Sequence, residues 1–130
     1  MAEDRLSPDL GRLIDRAKAA VGSLGTESAE AEGVALLVES GDIYSGATDD
    51  RGGQSADGGA VHRALKQAEA AGPSEVLAAA VAAPFDRSET VLPSAESHRL
   101  LAEIDPELPV IVKKYGRWVM SSASQVGSGS

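Results

Sequence analysis

Apolar and polar positions follow two different periods along this chain, and the switches between them mark its elements. Leu10, Leu13, Ile14, Ala17 and Val21 recur at helical spacing, which lines one face of a helix with apolar side chains. Ser7-Pro8-Asp9 combines a capping hydroxyl, a proline suited to the first helical position and an early acid, so it predicts the helix start; Gly22 and Gly25 predict its end. Thr26 to Glu32 is acidic and small and reads as a surface linker. Gly33-Val-Ala-Leu-Leu-Val38 is a short continuous apolar run followed by turn residues, the pattern of a buried strand. Glu39-Ser-Gly-Asp42 reads as a tight turn and Ile43 to Ala47 as the returning strand. Together they predict a β-hairpin, with Gly41 supplying the positive φ that such turns need.

Thr48 to Gly58 is a polar, glycine-rich loop. A second helix is predicted from Gly59 to Ala71, with Val61, Leu65 and Ala68 on its buried side and Gly72-Pro73 stopping it. Glu75 to Ala83 is nearly unbroken Ala and Val. Propensity alone favours a helix there, but the turn signals on both sides and its place in the order favour a central strand buried on both faces. Pro84 to Leu92 is a loop, and a third helix runs from Pro93 to Ile104 with Leu100, Leu101 and Ile104 as its apolar stripe. Pro106 and Pro109 break it. Val110 to Tyr115 reads as a strand, Gly116-Arg117 as a turn and Trp118 to Met120 as a last short strand. The predicted order is α-β-β-α-β-α-β-β, an α/β fold with a mixed five-stranded sheet and about three helices covering its faces. One domain over residues 1–120 and a flexible Ser/Gly-rich tail over 121–130 are expected.

Composition adjusts this picture in three ways. Apolar residues are 42% of the 130, but aromatics only 3%, so the interior is built of Ala, Val and Leu and suits helices lying close to a sheet. Twelve Lys and Arg against 20 Asp and Glu give a formal charge of −8. That balance excludes a broad nucleic-acid or anionic-membrane surface, which needs a net basic face. There is no cysteine, hence no disulfide, thiolate metal site or cysteine nucleophile. Met1 to Arg5 is charged and has no apolar core of a signal peptide, and no apolar run has the length of a membrane span, so a cytoplasmic protein is expected.

The most informative stretch is Val91 to Glu103, Val-Leu-Pro-Ser-Ala-Glu-Ser-His-Arg-Leu-Leu-Ala-Glu, which leads into Pro109-Val-Ile-Val112. With the opening helix, the hairpin Val34 to Gly46 and the helix ending Ala70-Ala71-Gly72, it resembles the cytidine deaminase family. The likeness is to the small nucleoside deaminases, including the blasticidin S deaminase branch, over nearly all of Leu6 to Val119. The family's Pro-Cys-Gly-x-Cys-Arg-Gln-x-Leu-x-Glu frame survives here in Pro93, Leu101 and Glu103, followed by Pro109, Val110 and Ile111. The resemblance implies a cytidine deaminase-like α/β/α sandwich.

It also implies a zinc site, and this chain departs from it. In the family, a His or Cys from the second helix and two Cys from the third hold Zn²⁺, and a neighbouring Glu moves protons between the metal-bound water and the pyrimidine. Ser94 and Ser97 stand at the two cysteine positions, and a hydroxyl is a poor fixed anionic ligand. The second-helix His/Cys-Ala-Glu falls on Gly59, Ala60 and Val61, or with a shift on Asp57-Gly58-Gly59. Gly59 is thus a lost ligand position and Val61 the lost general acid/base position. The family's ribose-binding Asn-x-Glu falls on Thr48-Asp49-Asp50, where Asp50 retains a carboxylate. The expectation is therefore a zinc-free, non-catalytic member with no cofactor and a binding, scaffold or regulatory role. A residual ligand pocket is expected at Thr48, Asp50, Asp57 and His62, with a nucleoside or a protein as partner. The resemblance also implies a homodimer or tetramer. The rival is a cytidine deaminase-type hydrolase acting on a pyrimidine nucleoside with a remodelled site.

Other arrangements fit the residues less well. A rebuilt metal site would use His62, His98 and a carboxylate such as Asp57 or Glu96, but partly exposed helix histidines are the plainer reading. A Ser94 or Ser97 nucleophile with His62 and Asp57 lacks a nucleophile elbow, and helix capping explains both serines. Gly52-Gly53 and Gly58-Gly59 lack the Lys-Ser/Thr of a phosphate loop. Lys113, Lys114 and Arg117 around Tyr115 and Trp118 read as a solvated hairpin rather than a nucleic-acid site, and Trp118 as a core or interface anchor.

Overall fold

The computed structural model describes residues 2–22, 32–48, 59–72, 75–82, 95–114 and 117–126. Its elements run α1 (Ala2–Gly22), β1 (Glu32–Val38), β2 (Ile43–Thr48), α2 (Gly59–Ala71), β3 (Val76–Ala82), α3 (Ala95–Ile104), β4 (Pro109–Lys114), β5 (Arg117–Ser122) and α4 (Ala123–Val126). The predicted order is present, with one short helix added at the end. The five strands form one sheet in the order β2-β1-β3-β4-β5. β1 pairs antiparallel with both β2 and β3, β3 pairs parallel with β4, and β4 pairs antiparallel with β5.

Alternation along the strands divides the core in two. On one side Val34, Leu36, Ala79, Val81, Val110 and Val112 pack with Ala60, Val61, Ala64, Leu101 and Ala123 from α2, α3 and α4. On the other side Ala35, Ile43, Ala78, Ala80, Ala82 and Ile111 pack with Leu13, Ala17 and Val21 of α1. The result is the expected three-layer α/β/α arrangement. β3 is a strand despite its alanines because both of its faces are covered: Ala78 to Ala82 are all buried. The hairpin turn is as predicted, with Gly41 at φ 93° and its N–H donating to the carbonyl of Val38. Leu101 is fully buried at the meeting of α3 with the sheet. Leu101→Ala should lower stability by about 2–5 kcal/mol, read as a lower denaturation midpoint at unchanged slope.

Several boundaries differ from the sequence reading. α1 begins at Ala2 rather than at Ser7-Pro8. Ala, Glu and Arg at its start are strong helix formers, and Pro8 removes a single backbone donor from the turn it enters. Glu32 is not linker: it opens β1, is only 1% exposed and stands opposite Thr48 in the β1–β2 register. The rest of that linker, 26–31, lies outside the described residues, as does the loop expected at 84–92; of the loop expected at 48–58, Thr48 instead ends β2 and 49–58 lie outside the described residues. Lys113 is not solvated: it is 8% exposed, with Nζ 5.8 Å from the centroid of the Trp118 ring. Residues 121–126, expected as part of a flexible tail, belong to β5 and α4. β5 continues to Ser122, and α4 seats Ala123 in the core with its N–H donating to the carbonyl of Leu108. Residues 127–130 lie outside the described ones. Among the described residues no helix is long and apolar enough to cross a membrane.

Candidate functional site

β2 and β3 both run antiparallel to β1, and β4 runs with β3. The carboxyl ends of these three strands therefore share one edge of the sheet, and the connections leaving β2 and β3 lead into α2 and α3. The heads of both helices consequently sit at that edge, on the same face. This is where the family frame would place its metal.

The head of α2 is closely docked. Gly46 of β2 lies under it, and a Cβ there would come within 2.7 Å of the Ala64 amide nitrogen and of Arg63 Cβ, and within 2.6 Å of the Ala60 carbonyl oxygen. With the helix pressed down, Ala60 and Val61 are fully buried among the apolar side chains of the core. Arg63, half-buried one turn along, donates from Nη1 to the carbonyl of Ala47 at 2.7 Å and ties α2 to the end of β2. Nothing in the sequence reading had singled out Arg63. Its only advance signal is a basic residue near the start of a helix whose neighbouring positions Ala60, Val61 and Ala64 are apolar.

The expected residues are distributed as follows. Gly59 is the first residue of α2, and Val61 is in its first turn. His62 is half-buried on the same helix. Thr48 ends β2 opposite Glu32. Ser97 lies in the first turn of α3, while Ser94, Asp50 and Asp57 are outside the described residues. His98 is half-buried, and its Nε2 is buried with no hydrogen-bond partner among the described residues. Buried polar atoms are normally paired, so this one marks the head of α3 as chemically unusual. Glu32, missed because it was read as linker, adds a buried carboxylate to the Thr48 end of β1. Arg99 and Glu103 form an exposed ion pair on α3 at 2.7 Å, one helical turn apart, which supports the helix by a few tenths of a kcal/mol at about surface-pair strength.

These residues do not fit a zinc ion. A zinc site takes nitrogen, sulfur or oxygen donors at about 2.0–2.3 Å. At the head of α2, however, Gly59 at the aligned ligand position has no side chain, and Val61 at the aligned acid/base position is a buried hydrocarbon. Among the described residues no three His, Asp or Glu side chains converge to hold a metal.

No protein-family model matches the chain, and no curated protein does. Among solved structures, a crystal structure of cytidine deaminase from Burkholderia pseudomallei superposes with a TM-score of 0.66. The two are 24% identical, over 92% of this chain and 97% of that one. The chain therefore has the cytidine deaminase-like fold, as the residue frame predicted.

Proposed function

We propose, with the cytidine deaminase fold as the premise, that this chain is a zinc-free, non-catalytic form of it whose work is binding, scaffolding or regulation. The observation that carries the reading is the head of α2, where Ala60 and Val61 are wholly buried in the apolar core. Deamination on this fold needs a metal to make hydroxide at neutral pH and a carboxylate to carry protons. At the aligned positions this chain has Gly59, which has no side chain, and Val61, a hydrocarbon one. The lack of any cysteine in the sequence supports the same reading from the other helix. A residual nucleoside pocket would draw on Thr48, Asp50, Asp57 and His62. The buried Glu32 opposite Thr48, and the buried His98 Nε2 that has no hydrogen-bond partner among the described residues, support retained polar chemistry at that end. Self-association as a homodimer or tetramer in the cytoplasm belongs to the proposal.

Metal analysis of protein purified without chelator, with a cytidine-to-uridine assay, is expected to give no stoichiometric zinc and no uridine. One zinc per chain with measurable uridine would establish the rival reading, a hydrolase with a remodelled site. A thermal-shift screen with nucleosides tests the pocket, because any ligand of the folded state raises its melting temperature by mass action. A shift with a nucleoside supports a binding role; none with any of them leaves the scaffold role.

A further inference from the structure

The sheet has two edges, β2 and β5, and they are finished differently. β2 lies beneath both α1 and α2, whereas β5 touches only the short α4 besides its strand neighbour β4 among the main packing contacts. The outer side of β5 therefore offers a row of backbone donors and acceptors that no described strand takes up. Proteins usually blunt such an edge with a charge, a proline or a bulge. β5 has none of these between Trp118 and Ser122, and its pairing to β4 runs without a register shift from Lys114–Arg117 to Pro109–Ser122.

The same strand exposes apolar surface on the α1 side. Register pairs Ile111–Met120 and Pro109–Ser122 put these four residues on one face, beyond the strands β1 to β3 on which α1 chiefly packs. Met120 is 47% exposed there. Beside it an open groove of about 350 Å³ is lined by Glu107, Pro109, Met120, Ser121 and Ser122.

We propose that a second copy of this chain adds its β5 to this edge, antiparallel, so that the two sheets join across a two-fold axis near Met120. This deepens, and rests on, the self-association in the reading above. An axis there sets Met120 against Met120 and Trp118 against Ser122, so each copy's indole lies along the groove of the other. Charge complementarity selects a second copy over an unrelated strand. Arg117 is exposed at one end of β5, and Glu107 is exposed beside the other end. Antiparallel pairing brings each Arg117 to the opposite copy's Glu107, twice by symmetry.

The test is sedimentation velocity of the full chain in a dilution series, with thermal melts to establish that each variant folds. The wild type is expected to be dimeric. Met120→Lys, at an exposed position, sets two ammonium groups across the axis and should weaken the dimer by about tenfold or more. Arg117→Glu and Glu107→Arg should each weaken it, and the double exchange should restore it, which a merely structural role would not do. A dimer indifferent to Met120→Lys and to the charge exchanges overturns this surface while leaving self-association standing. A wild type that stays monomeric, with the outer amides of β5 exchanging freely, overturns both and leaves the edge to a strand from another protein.

Discussion

Gly33→Ala should destabilise the fold by about 3 kcal/mol or more, at the upper end of what overpacking costs. A Cβ on Gly33 would sit 2.3 Å from the Ala17 carbonyl oxygen, 2.9 Å from Val21 Cβ and 3.0 Å from the Val21 amide nitrogen. Two of these are helix backbone atoms, so no rotamer change relieves the overlap; α1 must lift from β1. Lifting it would loosen Leu13, Ala17 and Val21, which provide one side of the second core cluster. Against a total stability of about 5–15 kcal/mol, typical of such domains, the loss is large. Gly11→Ala, in α1 itself, is the control. Nothing lies within 4 Å of a Cβ there, so that change should instead stabilise by about 0.5–1 kcal/mol. Chemical denaturation of the two variants should show opposite signs.

The second large effect concerns the position where the family keeps its general acid/base. Val61→Glu should unfold the chain rather than reawaken it. Val61 is 0% exposed inside the apolar cluster, and an unpaired carboxylate there costs about 3–5 kcal/mol at neutral pH. The sign with pH is diagnostic. Burial disfavours the charged carboxylate and raises its folded-state pKa above the unfolded value near 4.3. The unfolded chain therefore releases that proton first, and the loss of stability grows as pH rises through about 4.3. Val61→Gln should be destabilised almost independently of pH. A Val61→Glu protein that is stable at pH 7 would show that the head of α2 opens to water and would overturn the non-catalytic reading's main support.

The elements were legible where the periodic pattern was strong. Leu13, Ala17 and Val21 are buried as their spacing required, α2 spans Gly59–Ala71 as predicted, and Gly41 takes its positive φ. β3 was legible only through context, because seven residues of mostly alanine carry no strand propensity. What failed was local chemistry that tertiary contacts override. Glu32 reads as a surface acid in any window, yet it opens β1 in register with the distant Thr48 and is buried there, which no local pattern announces. Lys113 reads as solvent-facing, and its burial depends on a tryptophan across the β4–β5 turn. Ser121 to Ala123 read as tail because serine and alanine cannot announce that one methyl will fill a core seat. At the candidate site, the residues aligned with the family's ligands are visible as letters, but only the structure shows Ala60 and Val61 packed as core, and Arg63 is invisible as an anchor until its carbonyl partner is placed.

The central strand has a consequence for how the chain folds. β1–β2 and β4–β5 are hairpins closed by short turns, and each can form from neighbouring residues in microseconds. β3 alone joins them, antiparallel to β1 on one side and parallel to β4 on the other. Each of those two pairings has a long loop to close, and the parallel one must wait for a helical crossover. Its side chains are mostly methyl groups, which gain little by collapsing alone. The last step to native structure is therefore expected to be the seating of an alanine ribbon between two preformed halves. Substitutions in the outer hairpins should then slow refolding, while changes along β3 should chiefly hasten unfolding.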